Sequence, residues 1–411
     1  MRFEIKAPDK QVVNTINLPA SKSLSNRLLI IRALSANYFD IHNLSTSNDT
    51  NVLIKALNHL SDPVIDIGAA GTAMRFLTAF LSITPGETIL TGSERMKQRP
   101  IKILVDILKE LGARIEYLEK EGFPPLRING STLLKTKPIN IKGNISSQYI
   151  SALLMIAPVL ENGLTINIED KILSKDYINM TLQIMQNHGI NFQWNKNIIK
   201  VKKGNYLPKE TTVEPDWSAA SYWFAIISLL KNTEILLSGL QKNSLQGDSV
   251  LTGIFKTLGV QSKFNENGLF IKNIPTTCSH FEYDFTDCPD LAQTLAVTLV
   301  AKNIPFRLNG LDNLSIKETD RIKALVDEFE KMGIHLQTNG KDYLMWEGNE
   351  DIKISSNHFV KTYDDHRMAM AFAPLAIITK SLIIDDPEVV KKSYPNFWDD
   401  LKAFGFEINK K

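Results

Sequence analysis

Residues 313–334 read Asn-Leu-Ser-Ile-Lys-Glu-Thr-Asp-Arg-Ile-Lys-Ala-Leu-Val-Asp-Glu-Phe-Glu-Lys-Met-Gly-Ile. The second half of this stretch places apolar residues at helical spacing and ends on Gly333, a residue type typical of the turn that follows a helix. Apolar residues resume directly after the glycine. The stretch therefore predicts an amphipathic helix, a glycine cap and a short strand.

The same helix–glycine–strand pattern occurs four more times, ending on Gly112, Gly189, Gly259 and Gly405. Consecutive capping glycines lie 70 to 77 residues apart, so a chain of 411 residues has room for about six copies. A shortened first copy fits residues 51–60, where the spacing is helical but no glycine follows. One match is common in α/β proteins, but five at near-constant spacing predict a repeated α/β architecture.

The composition is that of a globular protein, with 43% hydrophobic and 22% charged residues. The length of 411 residues predicts about two or three domains. A formal net charge of +2 does not favour a nucleic-acid or membrane surface. The N-terminus lacks a signal-peptide core, and no apolar run is long enough to span a membrane. We therefore expect a soluble, cytoplasmic protein.

Cysteine and histidine usage argues against a metal enzyme. Cys278 and Cys288 match no metal motif, and the seven histidines form no HxxxH-type pair. The sequence also lacks a P-loop and a convincing dinucleotide fingerprint. We expect neither a metal nor a cofactor.

The first half of the opening stretch is basic. Lys317 and Arg321 are four residues apart, which predicts that both cations lie on one face of the first helical turn. An anion between them would relieve their repulsion, and a helix N-terminus favours anions. Glu318 lies beside them and could move a proton. For this cluster alone, a solvated charged turn is the simpler interpretation.

Five other polar segments precede predicted helices, namely residues 21–27, 71–72, 146–148, 289–290 and 364–367. Helix capping alone explains Ser146, Thr72 or Asp290 taken singly. Capping does not explain Lys22, Arg27 and Arg367, because a cation near a helix N-terminus costs roughly 0.3–1 kcal/mol. Two further basic segments, 95–100 and 391–395, are equally well explained as anion sites or as solvated loops.

Taken together, these motifs identify a family. The chain resembles 5-enolpyruvylshikimate-3-phosphate (EPSP) synthases along almost its whole length, and nine segments occur in that family's order. The segments are Leu18–Arg27, Ala70–Arg75, Arg95–Pro100, Ser146–Gln148, Ser174–Lys175 with Tyr177, Pro289–Asp290, Lys317–Arg321, Asp365–Met370 and Lys392.

The resemblance implies an α/β (α+β) fold, specifically a two-domain inside-out α/β barrel built from six βαβαββ repeats with the first repeat shortened. The implied N-terminal domain covers residues 20–213. The other domain is discontinuous and covers residues 1–19 and 214–411. Each domain would hold three repeats.

The resemblance also implies the reaction. The family transfers the enolpyruvyl group of phosphoenolpyruvate to the 5-hydroxyl of shikimate 3-phosphate through a tetrahedral intermediate, in the shikimate pathway to chorismate and the aromatic amino acids. The implied partners are these two small molecules alone, with no cofactor, nucleic acid or membrane, and the implied state is a monomer.

The family's site residues map onto this sequence position by position. Asp290 is implied as the base for the hydroxyl and Glu318 as the acid/base for the methylene carbon, with Lys22 assisting. The implied shikimate 3-phosphate ligands are Lys22, Ser23, Arg27, Ser146, Ser147, Gln148, Ser174, Asp290, Asn313 and Lys317. The implied phosphoenolpyruvate ligands are Lys22, Gly71, Arg99, Gln148, Arg321, Arg367 and Lys392.

The charges of this set nearly balance those of the substrates. Seven cations less the two carboxylates of Asp290 and Glu318 give a net charge of +5, against about −5 to −6 on the two substrates. We therefore expect a site that neutralises its ligands.

Three positions depart from the family pattern, of which Asp176, in place of a common Pro, is expected to have little effect. Ala69 stands where the family usually has Asn, which removes an amide contact. Phe76 stands where Pro is common and could shift the helix start at Gly71, so sensitivity to the family inhibitor glyphosate stays open. The first repeat is also shorter than usual, between about Leu57 and Asp66.

Two other functions stay in view. UDP-N-acetylglucosamine enolpyruvyl transferases share the repeat fold, but they usually carry a cysteine in the N-terminal half, and this chain has none before Cys278. A non-catalytic anion-binding repeat protein is the other alternative. The presence of both Asp290 and Glu318 argues against it.

Overall fold

A computed structural model describes residues 1–131, 137–348, 354 and 356–411. Its contacts divide the chain into two compact units. We call Ser21–Val213 the continuous unit, and Met1–Ala20 together with Glu214–Lys411 the split unit. The predicted limits of the two domains stay predictions. Within the described residues, no helix combines the length and the apolar character needed to cross a membrane.

The helices of the described chain are α1 (Lys22–Leu34), α2 (Asn48–Asn58), α3 (Gly71–Ser82), α4 (Glu94–Lys97), α5 (Lys102–Glu110), α6 (Ser147–Ile156), α7 (Lys175–Asn187), α8 (Trp217–Leu229), α9 (Leu251–Thr257), α10 (Ala292–Ala301), α11 (Arg321–Lys331), α12 (His366–Phe372), α13 (Ala376–Thr379) and α14 (Phe397–Phe404). Short 3₁₀ helices span Ala157–Val159, Gly247–Val250, Pro289–Leu291, Leu314–Ile316, Ala373–Leu375 and Pro387–Lys392.

The strands are β1 (Arg2–Lys6), β2 (Thr15–Ile16), β3 (Ile41–His42), β4 (Val64–Asp66), β5 (Gly86–Thr91), β6 (Arg114–Tyr117), β7 (Leu126–Gly130), β8 (Ile139–Lys142), β9 (Leu164–Glu169), β10 (Phe192–Asn195), β11 (Ile198–Val201), β12 (Thr211–Thr212), β13 (Glu234–Ser238), β14 (Val260–Asn265), β15 (Gly268–Asn273), β16 (Phe281–Asp284), β17 (Phe306–Asn309), β18 (Gln337–Thr338), β19 (Tyr343–Trp346), β20 (His358–Val360), β21 (Ser381–Asp385) and β22 (Glu407–Lys410).

The sheets of the described residues follow one plan. The split unit has three four-stranded sheets, ordered β20-β21-β1-β22, β14-β15-β13-β2 and β16-β17-β19-β18. The continuous unit has two, ordered β4-β5-β7-β6 and β10-β11-β9-β8, together with the two-stranded parallel pair β12-β3. Each four-stranded sheet has one parallel pair at an edge and two antiparallel pairs. This confirms the predicted mixed α/β class, while the six βαβαββ repeats stay a prediction.

Apolar helices form the interior of each unit. In the split unit, α8, α10 and α12 are buried almost all round, as expected of helices that lack a polar face, and α10 packs against both α8 and α12. In the continuous unit, α3 and α6 pack together in the same way. Strands such as β1, β5 and β9 alternate buried and less buried residues, so one face of each sheet covers these helices.

The five predicted capping glycines all have positive φ. The values run from 74° at Gly333 to 128° at Gly405, and Gly112, Gly189 and Gly259 lie between them. Residues with a Cβ rarely adopt this backbone conformation, which explains why glycine occurs at each of these helix ends. The prediction from that pattern is confirmed at all five positions.

The prediction that Lys317 and Arg321 share one helix face is wrong. Helix α11 begins at Arg321, and Asp320 caps it by accepting a hydrogen bond from the Lys323 amide, with a distance of 3.0 Å from Oδ1. Lys317 lies outside the helix, in extended backbone after the short 3₁₀ helix Leu314–Ile316. Asp320 is the better cap, and it sets the helix start later than the spacing of the two cations suggested.

Candidate active site

Arg321 is the centre of the basic cluster in the split unit. Its side chain is only 2% exposed, although it carries a charge. The guanidinium binds three carboxylates: Nε donates to Asp365 at 2.7 Å, Nη1 to Asp290 at 2.9 Å and Nη2 to Glu318 at 3.0 Å. Burial opposes the charged form, but these carboxylates outweigh it and raise the pKa of Arg321 above its usual value.

Asp290 joins three cations. Besides Arg321, its carboxylate lies 3.0 Å from Nη2 of Arg367 and 3.8 Å from Nζ of Lys317. Asp290 stands in the 3₁₀ helix Pro289–Leu291 directly before α10, which directs its side chain to the starts of α11 and α12. A carboxylate held by three cations is strongly favoured in its ionised form.

Glu318 and Lys392 form the other edge of the same cluster. The Glu318 carboxylate accepts from Arg321 and lies 3.3 Å from Nζ of Lys392. Both side chains are 13% exposed. Lys392 ends the 3₁₀ helix Pro387–Lys392 rather than lying in a loop. Glu318 therefore lies between two predicted phosphoenolpyruvate ligands.

The ion pair of Asp365 was not predicted from the sequence. This carboxylate is fully buried, accepts the Arg367 amide at 2.8 Å as the cap of α12, and also pairs with Arg321. Residues 364–367 were predicted to precede a helix, which is where an aspartate commonly acts as a cap. An aspartate at a helix start beside a basic residue was the signal that could have predicted an ion pair, because a buried cation needs a carboxylate partner.

Arg367 has neutral partners as well. Nη1 lies 3.4 Å from the Tyr222 hydroxyl and Nη2 lies 3.4 Å from Oγ of Ser218, both on α8. Burial raises the pKa of Tyr222 to about 12, so this hydroxyl stays neutral. Nothing in the local sequence of α8 marked these two residues.

The split unit largely neutralises its own cations. Lys317, Arg321, Arg367 and Lys392 face the carboxylates of Asp290, Glu318 and Asp365, which leaves one positive charge. Burial lowers the pKa of Lys317 despite the nearby Asp290. The predicted charge count left out Asp365 and was therefore too positive.

Lys22 opens the polar cluster of the continuous unit. It is the first residue of α1, and its Nζ lies 3.1 Å from the buried carboxylate of Asp49. Asp49 stands in the first turn of α2, where a carboxylate is favoured by the helix dipole. Asp49 was not predicted from the sequence. Because its negative charge was left out, the predicted charge count was too positive.

Arg27 is buried without a carboxylate. Its side chain donates to hydroxyls of Thr181 and Ser151 at 2.7 and 3.2 Å and to the carbonyl oxygens of Ser23 and Tyr177 at 2.8 and 3.3 Å. Burial lowers the pKa of Arg27 to about 10. These neutral groups orient the guanidinium but leave its charge uncompensated within the described residues.

Arg99 lies against the start of α3. A Cβ built on Gly71 would stand 2.5 Å from Nη1 and 2.9 Å from Cζ of Arg99, so only glycine lets the guanidinium approach the helix end this closely. Arg99 is 8% exposed, and within the described residues its guanidinium makes neither a hydrogen bond nor an ion pair. A buried, unpaired cation at a helix N-terminus is suited to hold an anion.

The segment that carries Arg99 is fixed from two sides. The carbonyl oxygen of Pro100 accepts from Nη2 of Arg75 at 3.0 Å and from the Tyr149 hydroxyl at 2.5 Å. Arg75 also donates to the carbonyl oxygen of Gly71 at 3.2 Å. These bonds tie Arg99 to helices α3 and α6.

Gln148 joins the same place. Its amide nitrogen donates to the Thr72 hydroxyl at 3.2 Å, which links the start of α6 to the start of α3. Ser146 caps α6, as the capping interpretation predicted, and Ser147 follows it as a buried residue. Gly71, Arg99 and Gln148 are thus brought together.

Ser174 has an unusual backbone. It precedes α7 in the left-handed region at φ 55°, and its hydroxyl makes no capping bond. Such strain costs about 1–3 kcal/mol in a residue with a Cβ, and it is frequent at functional sites. Side-chain capping therefore does not explain Ser174, and its place among the substrate ligands stays a prediction.

Phe76 does not move the helix start, since α3 begins at Gly71. The fully buried ring instead faces Arg27, with Cζ 5.4 Å from the ring centroid. The Tyr177 ring lies 5.8 Å from the same atom. This departure from the family pattern therefore concerns the surroundings of Arg27.

The predicted site residues fall into two sets. In the split unit, one ion-pair network joins Asp290, Lys317, Glu318, Arg321, Arg367 and Lys392, while Asn313 precedes it at the 3₁₀ helix Leu314–Ile316. In the continuous unit, Lys22, Ser23 and Arg27 lie on the first turns of α1, while Gly71, Arg99 and Gln148 lie at or beside the starts of α3 and α6.

Comparison with a family model gives one match. The model described as EPSP synthase (3-phosphoshikimate 1-carboxyvinyltransferase) covers residues 6–63 and 61–401.

Curated relatives match over nearly the whole chain. A 3-phosphoshikimate 1-carboxyvinyltransferase of Bacteroides fragilis is 52% identical and covers 99% of both chains. One of Vibrio campbellii is 36% identical and covers 96% of this chain and 98% of its own. Among solved structures, an EPSP synthase from Acinetobacter baumannii covers 100% of both chains with a TM-score of 0.80 at 19% identity, which supports the fold alone.

Proposed function

The chain belongs to the EPSP synthase (3-phosphoshikimate 1-carboxyvinyltransferase) family, and we propose that the residue sets described above carry out that enzyme's reaction. The reaction moves the enolpyruvyl group of phosphoenolpyruvate to the 5-hydroxyl of shikimate 3-phosphate and releases phosphate. It is a step of the shikimate pathway. The two alternative functions are not favoured, because the family model and the relatives carry the EPSP synthase name.

The observation that carries the assignment of residues is the unpaired Arg99. Its guanidinium is buried beside Gly71 at the start of α3, with no carboxylate partner in the described chain. Arg forks bind carboxylate or phosphate through two bonds. Phosphoenolpyruvate carries both groups, so it would supply the negative charge that is missing beside Arg99.

We assign Arg27 to shikimate 3-phosphate for the same reason. Its four neutral partners hold the guanidinium in place, and its charge is left for a ligand. The other proposed ligands of this substrate are Lys22, Ser23, Ser146, Ser147, Gln148, Ser174, Asp290, Asn313 and Lys317.

The proposed ligands of phosphoenolpyruvate in the split unit are Arg321, Arg367 and Lys392. All three already face protein carboxylates. A bound anion must therefore compete with Asp290 and Glu318 for these cations. This exchange would leave both carboxylates with fewer cationic partners, which raises their affinity for protons. In the continuous unit the proposed ligands are Lys22, Gly71, Arg99 and Gln148.

The chemistry needs two proton transfers. The hydroxyl oxygen attacks C2 of phosphoenolpyruvate and loses its proton, while C3 gains a proton, which forms the tetrahedral intermediate. Loss of the C3 proton then restores the double bond as the C2–O bond to phosphate breaks. We propose Asp290 as the base for the hydroxyl and Glu318 as the group that gives and takes the C3 proton, with Lys22 assisting.

Measuring phosphate release with two acceptors tests the function. The enzyme should release phosphate from phosphoenolpyruvate with shikimate 3-phosphate and not with UDP-N-acetylglucosamine. Release with only the second acceptor would contradict the assignment. Release with neither acceptor would favour the binding protein.

The proposal also covers the oligomeric state, the location and the binding partners of the protein. We propose a monomer that acts in the cytoplasm on these two small molecules, without nucleic acid or membrane. Sedimentation of the purified chain would test the monomer, since a concentration-dependent mass would contradict it.

A further inference from the structure

Asp248 is a buried carboxyl that the reaction scheme does not use. It lies in the 3₁₀ helix Gly247–Val250 of the split unit and is 4% exposed. In the part of the chain that the structure describes, the hydroxyl of Ser218 is the hydrogen-bond donor to this carboxyl. Ser218 stands at the start of α8.

The same hydroxyl also contacts Arg367. Nη2 of Arg367 lies 3.4 Å from Oγ of Ser218 and 3.0 Å from the Asp290 carboxylate. Ser218 therefore stands between Asp248 and a proposed phosphoenolpyruvate ligand. A chain of contacts runs from Asp248 through Ser218 and Arg367 to Asp290.

The peptide that carries Asp248 is firmly held. Gln246 accepts the Trp217 amide at 3.1 Å and donates to the carbonyl oxygen of Pro215 at 2.8 Å. Both bonds tie the segment to the beginning of α8. The segment that carries Asp248 is therefore fixed next to the first turn of α8, where Ser218 lies.

Burial and two nearby carboxylates favour the neutral form of Asp248. Burial, which is the largest cause, and the negative charge of Asp290 raise the pKa of Asp248 to about 7, and Asp216 acts in the same direction. Arg367 and the Ser218 hydrogen bond oppose the shift. A second anion near Arg367 would add to the repulsion that Asp290 already exerts.

We propose that Asp248 takes up a proton from solvent when Arg367 binds an anion, so that phosphoenolpyruvate binding is coupled to the protonation of Asp248. The inference rests on the proposed role of Arg367. Asp248 acts here as a positioning and charge-setting residue, because it touches Ser218 and not the substrate.

The coupling has a definite sign. At low pH Asp248 is neutral and does not repel the substrate anion. As pH rises through about 7, Asp248 ionises and weakens anion binding at Arg367. Asp248→Asn keeps the shape of the side chain and can still accept the Ser218 hydrogen bond, but it cannot ionise. Its affinity for phosphoenolpyruvate should therefore not fall as pH rises through about 7 for this reason.

The test is the KM for phosphoenolpyruvate against pH at saturating shikimate 3-phosphate. Below about pH 6, the native enzyme and Asp248→Asn should have similar KM values. Above about pH 8, the native KM should exceed that of the variant by roughly threefold to tenfold, the effect of one like charge at short range. Dividing the native KM by the KM of Asp248→Asn at each pH cancels the effect of substrate ionisation, because both enzymes bind the same substrate.

Three further variants separate the causes. Ser218→Ala keeps the Asp248 carboxyl but removes a hydrogen bond that lowers its pKa, so the pH dependence of its KM should persist with its midpoint moved to higher pH. Glu214→Gln is the matched control, because Glu214 is also a carboxyl with a pKa raised by burial and accepts from a serine, Ser244, at 2.7 Å. Its KM should follow the native profile. Arg367→Gln should raise the KM at every pH.

The outcomes distinguish the inference from the proposed function. A ratio of native to Asp248→Asn KM that is flat with pH would overturn the coupling, whether the variant binds well or poorly. If Arg367→Gln raises the KM while that ratio stays flat, only the coupling is wrong. If Arg367→Gln leaves the KM unchanged, the role of Arg367 is wrong and the coupling is wrong with it.

Discussion

Arg321 in the split unit and Arg99 in the continuous unit are both buried, yet they are surrounded in opposite ways. Arg321 holds three carboxylates, from Asp290, Glu318 and Asp365. Arg99 holds none within the described residues and lies against the start of a helix. The charge of Arg321 is therefore balanced by carboxylates of its own unit, whereas the charge of Arg99 has no counter-charge within the described residues.

The difference teaches what an anionic ligand must do in each case. At Arg99 a ligand adds a missing counter-charge, so binding relieves an existing cost of burial. At Arg321 a ligand has to replace protein carboxylates, so binding releases groups that can then move protons. We infer that the first arrangement serves affinity and the second serves chemistry.

Glu318→Gln should have the largest effect on activity. Glutamine can keep a contact to Arg321 and Lys392 but cannot exchange a proton at C3. We expect kcat to fall by about 10²–10⁴-fold, the usual contribution of an acid/base group, with small changes in both KM values. Steady-state phosphate release measures this. A kcat within a few-fold of the native value would remove Glu318 from the mechanism.

Arg99→Gln should chiefly weaken substrate binding. A charge-assisted hydrogen bond contributes about 1.5–3 kcal/mol, so the KM for phosphoenolpyruvate should rise by about 10- to 150-fold. Arg95→Gln is the control, because Arg95 is exposed on the same segment. Equal effects of the two changes would mean that Arg99 acts only through the general charge of the segment.

Gly71→Ala should have a smaller effect of the same kind. The added methyl would overlap the Arg99 guanidinium, which must then move away from the helix start. We expect the KM for phosphoenolpyruvate to rise by roughly tenfold or less, as part of that charge-assisted bond is lost. Gly253→Ala is the control, since a Cβ there meets nothing within 4 Å. An unchanged KM in Gly71→Ala would contradict the close approach of the two residues.

The sequence predicted the fold class from one kind of signal. The glycines at 112, 189, 259, 333 and 405 need a backbone conformation that few other residues adopt, so their spacing reflected a repeated local structure. Helix starts were less predictable. Asp320 and Lys317 are both polar residues near a helix, and spacing alone could not tell which residue caps it.

The sequence predicted the cations of the candidate site and the carboxylates Asp290 and Glu318, but not the carboxylates that pair with Lys22 and Arg321 from other helix starts. Lys22 and Arg321 stood out because a cation at a helix start needs an explanation. Asp49 and Asp365 did not stand out, because a carboxylate there is an ordinary helix cap or first-turn residue. Ser218 and Asp248 reach Arg367 only through the fold, since they lie 149 and 119 positions away in the sequence.

The contrast between the two arginines is tested most directly by the free energies of unfolding of Arg321→Gln and Arg99→Gln, measured by denaturant titration without ligand. Removing Arg321 leaves the buried carboxylate of Asp365 and the partly buried carboxylates of Asp290 and Glu318 without their shared cation. Breaking a buried ion pair costs about 3–5 kcal/mol. Removing Arg99 takes away a buried charge that has no partner among the described residues, so the free energy of unfolding should stay the same or increase. Equal losses of stability in the two variants would contradict the account.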